Sequence, residues 1–230
     1  MKSIKAKFQG FRKRIHKPSL RALLVVEILL ILVVPLQAKD LIPGIALTVT
    51  VALFALASLL VTAQSGLAMI VFLTSVILSQ IMRLLHYTDL SILAVWFDAG
   101  ARHTAICAVS WVIAKEVLQA RPVNIQKIEA ALVLYINLAL LFFMIYQFLS
   151  IVAPDAFSIS VLEADRLRGG YYFLSFSFAT MVHMNYGEVV PVGRLAQDIV
   201  KIESLIGALY PAAVLIWFLI LQRRNGISLR

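Results

Sequence analysis

Residues 169–191 read GGYYFLSFSFATMVHMNYGEVVP. The first part, Gly169 to Met184, is apolar and aromatic, yet its length of about sixteen residues falls short of the roughly 20 that a helix needs to cross a bilayer. Polar sequence precedes it, with Glu163, Asp165, Arg166 and Arg168. Two long apolar runs flank it, Ala130–Val152 before and Ile199–Leu221 after. A short apolar helix between two full-length ones reads as a segment that enters a membrane and returns on the same side. Non-helical backbone survives at that depth only where protein or a water-filled cavity surrounds it.

Moving outward, the whole chain has the same character. Of 230 residues, 61% are hydrophobic and 14% charged, and the mean hydropathy is +0.92. Soluble domains run at roughly 45–50% apolar and about 25% charged, so a soluble globule is excluded, and so is a disordered chain. The apolar stretches are continuous runs and not alternating ten-residue segments, which disfavours a membrane β-barrel. The expected fold is an all-α polytopic membrane protein with six transmembrane helices. Four further spans precede the pair above: Leu20–Gln37, Ile45–Ala63, Leu67–Leu84 and Ser91–Val117. Breaks separate them at Lys39-Asp40 with Pro43-Gly44, at Gln64-Ser65-Gly66, and at Arg121-Pro122.

The net charge is +9. Eight basic residues lie in the first 21 positions: Lys2, Lys5, Lys7, Arg12, Lys13, Arg14, Lys17 and Arg21. A basic run just before an apolar one reads as a cytoplasmic positive-inside tail that touches anionic lipid, and no nucleic-acid partner is expected. An even number of spans puts both termini on one side. Lys115, Arg121, Lys127, Arg223, Arg224 and Arg230 then fall on the same side as the tail. A cleaved signal peptide is not expected. The single cysteine, Cys107, excludes an intrachain disulfide and reads as a buried small side chain.

The run Phe176-Ser177-Phe178-Ala179-Thr180-Met181-Val182-His183-Met184-Asn185-Tyr186-Gly187-Glu188 resembles the pore helix and filter of tetrameric potassium channels, whose usual filter is T-[VIL]-G-[YF]-G-D. The similarity continues through Pro191-Val192, Leu195-Ala196, Ile202-Glu203, Ile206-Gly207 and Leu209-Tyr210. It is nearest to the bacterial six-span, single-pore-loop ion channels. It covers about 60 residues closely, the fifth span more loosely, and the first four spans in topology alone. The resemblance implies a homotetramer in the inner (plasma) membrane, multi-pass, with both termini cytoplasmic. Its filter would be His183, Met184, Asn185, Tyr186, Gly187 and Glu188, behind a pore helix that includes Phe176, Phe178 and Thr180. Monovalent cations in the filter are the only ligands it implies, with no cofactor and no metal site. The implied segments are a basic cytoplasmic tail at 1–19 and a four-helix membrane domain at 20–120. A pore domain at 121–224 and a short tail at 225–230 follow.

Such a filter works by replacing an ion's hydration shell with rings of backbone carbonyls. Gly187 keeps one position where glycine adopts the needed backbone angles freely, and Asn185 replaces the other. Asn is among the non-glycine residues that enter positive φ most readily. Met184 replaces a β-branched residue, and His183 replaces the threonine whose hydroxyl lines the inner end. These departures predict weak discrimination between potassium and sodium. His183 either lines that inner end or packs away from the axis.

Charges inside the spans cost roughly 2.5–3.5 kcal/mol each on insertion scales. Glu27 either pairs with a base on another helix or sits near the inner interface. Asp98 and Arg102 are spaced i,i+4 and form an ion pair on one helical face. A voltage sensor needs an arginine or lysine at every third residue, and the fourth span lacks that ladder. Glu203 reads as a support of the pore helix or as an interfacial acid. Gly207 and Pro211 mark either a gating hinge or close packing with a static kink.

The rival classes are weaker. No GxSxG elbow or HExxH pair suggests an enzyme, and no internal repeat suggests a transporter. The alternative to a conducting channel is a pore-domain relative that conducts poorly or not at all, with a structural or sensory role.

Overall fold

The computed structural model describes residues 2–38, 41–86, 91–159, 169–184 and 189–224. Among them are seven α-helices: α1 (Lys2–Ala38), α2 (Gly44–Thr62), α3 (Gly66–His86), α4 (Ser91–Leu118), α5 (Ile125–Val152), α6 (Gly169–Met181) and α7 (Arg194–Arg224). A two-stranded antiparallel sheet joins β1 (Phe157–Ile159) to β2 (Val189–Pro191). The protein is thus α-helical, and among the described residues four helical stretches are long and apolar enough to cross a membrane: Ser19–Gln37, Gly44–Thr62, Ile125–Val152 and Arg194–Arg224.

Fewer stretches than the six expected spans reach that measure among the described residues. α3 is a helix of 21 residues, Gly66–His86, apolar over Gly66–Met82. α4 is long, but Asp98 and Arg102 in its middle and Lys115 and Glu116 near its end dilute its apolar character. α5 and α7 also exceed the apolar runs that mark them. Hydropathy stops at Lys127, Glu129, Arg194, Asp198 and Lys201, whereas helical hydrogen bonding continues through charged residues. The small sheet was not expected from the sequence either.

The chain divides into two compact units. The first comprises residues 1–119 and 124–134, the opening of α5 included. Here α1 packs against α2, and α3 against α4. α1 is one continuous helix from Lys2 to Ala38. Gln64 Nε2 donates to Ser19 Oγ at 3.5 Å, which fixes α1 and α2 as an antiparallel hairpin. Asn124 caps α5: its Oδ1 accepts from the Lys127 backbone N–H at 3.0 Å. Arg21 Nε donates to Glu129 Oε1 at 2.8 Å, and Lys127 Nζ donates to the Gln119 carbonyl.

The second unit comprises residues 120–123 and 135–230. Its core is aromatic: Phe142, Tyr146, Phe157, Phe173 and Phe176 are all buried. Tyr146 meets Phe176 edge-on with centroids 5.1 Å apart, and Phe157 meets Phe173 likewise at 5.1 Å. Such pairs contribute about 0.5–1.5 kcal/mol each beyond simple burial.

Candidate functional site

The site is built around α6. β1 and β2 pair in the register Phe157↔Pro191, Ser158↔Val190 and Ile159↔Val189. The chain that leaves at Ile159 therefore returns beside its point of departure at Val189. The Val192 and Gly193 amides both donate to the Ala156 carbonyl at 3.0 Å, which closes the base of this excursion. A Cβ at Gly193 would lie 3.1 Å from Ala156 Cα, so the close approach favours glycine.

From that base α6 runs deep between α5 and α7. Its last residue, Met181, lies against Gly207 of α7 and Tyr135 of α5. At about 1.5 Å per residue, Gly207 is about 20 Å along α7 from Arg194. α6 therefore ends near the middle of both long helices. A Cβ added at Gly207 would lie 2.3 Å from the Met181 carbonyl oxygen and 2.9 Å from its carbonyl carbon and Cα. No side chain other than hydrogen fits there.

The end of α6 is fully capped. A helix leaves its last four carbonyls without intrahelical donors. Here the Val182 amide donates to Phe178 at 3.1 Å, His183 to Thr180 at 3.2 Å and Met184 to Ala179 at 2.8 Å. Tyr135 Oη donates to Met181 at 2.9 Å. The crossed pair from His183 and Met184 is a Schellman motif, which puts its penultimate residue in the left-handed region. His183 occupies that position with φ 59. Histidine tolerates positive φ better than most residues.

Glu203 of α7 is fully buried. It accepts from Tyr146 Oη of α5 and from Ser177 Oγ of α6. Ser177 Oγ also lies 2.7 Å from the Ala139 carbonyl. One carboxylate thus ties three helices together behind α6, and the reading of Glu203 as an interfacial acid is corrected. Burial without partners costs far more than burial with them, which explains the hydroxyls that converge on it.

Of the other expected site residues, Phe176 is buried in the aromatic core and Phe178 is partly buried. Thr180 Oγ1 donates back to the Phe176 carbonyl at 2.9 Å. His183 and Met184 are exposed on this chain, whereas Asn185, Tyr186, Gly187 and Glu188 lie outside the described residues. Pro211 sits inside α7, which continues through it as one helix.

Glu27, Asp98 and Arg102 belong to the first unit. Arg102 Nη2 pairs with Asp98 Oδ2 at 2.9 Å, and Ser79 Oγ donates to Asp98 Oδ1. Glu27 is fully buried, which sets aside the interface reading, and among the described residues neither carboxyl oxygen has a hydrogen-bond partner. The reason is register, since Leu20, Leu23 and Glu27 follow the i, i+3, i+7 spacing of one buried stripe. Cys107 is exposed on this chain and not buried.

Sequence reasoning missed Tyr135, Tyr146 and Ser177. The available signal was a hydroxyl inside an apolar helix, since buried tyrosines usually find a partner. Comparison with protein-family models, curated proteins and solved structures finds no match in any of the three.

Proposed function

We propose that this protein is one quarter of a cation-conducting membrane pore. Four copies surround one axis, each contributing the segment from His183 to Glu188 as a filter. One observation carries the reading: the chain leaves at Ile159 and returns beside it at Val189, and α6 within that excursion ends near the middle of α5 and α7. A single such segment per chain cannot close a ring, whereas four copies related by cyclic symmetry can. A helix carries roughly half a negative charge at its C-terminus. Four such ends aimed at mid-membrane favour a cation over an anion.

In this reading the six-span arrangement holds. α1–α4 form the peripheral domain and α5–α7 the pore, with both termini cytoplasmic in the inner membrane and the basic N-terminal tail against anionic lipid. Conduction is passive. Potassium is weakly preferred over sodium, because His183 and Asn185 stand where the potassium-channel pattern has threonine and glycine.

The test is flux and single-channel recording from purified protein in lipid, comparing potassium, sodium and chloride, with mass measurement in mild detergent. A tetramer with cation current supports the proposal, and a stable monomer or dimer refutes it. The second reading, a pore-domain relative that does not conduct, is favoured by the position of His183, whose left-handed backbone serves the α6 cap. A tetramer without current in any of the three salts would select it.

A further inference from the structure

Two bare carbonyls from different helices meet at the end of α6. Pro211 has no N–H, so the Gly207 carbonyl four residues earlier has no intrahelical donor. Met181 ends α6, so its carbonyl has none either. The missing side chain at Gly207 lets these two backbones approach closely. Two like dipoles in an apolar setting repel unless a donor lies between them.

Tyr135 supplies that donor. Its Oη is 2.9 Å from the Met181 oxygen and 3.5 Å from the Gly207 oxygen. Its ring rests on Tyr210, the residue before Pro211, with centroids 5.4 Å apart. One proton is thus shared unequally between α6 and the weak point of α7.

We propose that Tyr135 is a positioning residue that couples the bend of α7 at Gly207–Pro211 to the segment that begins at Val182. When the proton lies toward Met181, the end of α6 is pinned and the cap over His183 and Met184 is held. When α7 moves so that the proton passes to Gly207, Met181 is released and that cap loosens. The functional consequence, control of the segment from His183 onward, rests on the pore reading above; the mechanical coupling does not.

The test is hydrogen exchange of the full-length protein in lipid, read at the His183 and Met184 amides. Tyr135→Phe removes only the hydroxyl, and exchange there should rise several-fold, up to about tenfold for one hydrogen bond. Pro211→Ala gives the Gly207 carbonyl its own donor, leaves Tyr135 wholly to Met181, and should slow exchange at the same amides. In the Pro211→Ala background the effect of Tyr135→Phe should be larger, because there the hydroxyl serves the Met181 carbonyl alone. Unchanged exchange in Tyr135→Phe, or the same fold-change in both backgrounds, overturns the coupling. If Tyr135→Phe does not fold, Pro211→Ala alone decides: slower exchange supports the coupling and an unchanged rate refutes it. Exchange is read without current, so a non-conducting protein with this exchange pattern would refute the pore and leave the coupling standing.

Discussion

Replacing Gly207 by alanine tests the depth to which α6 is packed. In an ordinary helix interior this change is favourable by roughly 1 kcal/mol, because glycine loses more backbone freedom on folding. Here the new Cβ would lie 2.3 Å from the Met181 oxygen and 2.9 Å from two further backbone atoms. These belong to a capped helix end held by Tyr135 and cannot swing aside as a flexible side chain would. Either α6 or α7 must move by about 1 Å, and overpacking of this kind costs typically 1–3 kcal/mol. With a backbone as the obstacle, the upper end applies. Subtracting the propensity gain leaves Gly207→Ala destabilised by about 2 kcal/mol. The assay is reversible unfolding in mixed micelles followed by tyrosine and tryptophan fluorescence. Gly100→Ala is the control, because nothing lies within 4 Å of a Cβ there, and it should be neutral or up to about 1 kcal/mol more stable. If Gly207→Ala shows the same sign as Gly100→Ala, α6 does not end against α7 and the site as described is wrong.

Three further outcomes follow from the same contacts. Glu203→Gln keeps the shape and two hydrogen-bonding ends, so it should cost less than about 1.5 kcal/mol, whereas Glu203→Ala strands the Tyr146 and Ser177 hydroxyls and should cost about 3 kcal/mol or more, both read by the same unfolding assay. His183→Gly relieves the left-handed residue of the α6 cap and should raise the unfolding midpoint, while His183→Val should lower it; equal midpoints would show that the cap is not formed. Asn124→Ala removes the α5 cap and should cost about 1 kcal/mol, a loss that Asn124→Asp should largely avoid.

How much of this was legible without coordinates differs from one element to the next. The helix in Gly169–Met184 was readable from its apolar content and its length, and the structure ends it three residues earlier, at Met181. The Asp98–Arg102 pair was readable because i,i+4 spacing on a helix is local geometry. Glu203 and Gly207 stood out as odd residues in an apolar run, each with two possible roles between which the sequence did not choose. Whether a glycine in a helix is a hinge or a contact depends on what faces it, and Met181 is far away in sequence. The tyrosines that complete the site carry only the signal of a hydroxyl inside an apolar stretch, which says that Tyr135 and Tyr146 need a partner and not which one.

The amino-acid sequence by itself determined that this is a helical chain made for an apolar solvent. That follows from composition and from continuous hydrophobic runs, which depend on no partner. It also marked the breaks at Pro43-Gly44, Gln64-Ser65-Gly66 and Arg121-Pro122, where turn residues act locally, whereas charges alone did not end α1, α5 or α7. Only the tertiary structure decided what closes the base of the excursion that holds α6, because that rests on pairing between Phe157–Ile159 and Val189–Pro191. It alone decided that Glu203 is shared by three helices and that Glu27 is buried. These are consequences of which faces meet. Facing is settled by the packing of segments distant in the chain, and no local pattern encodes it.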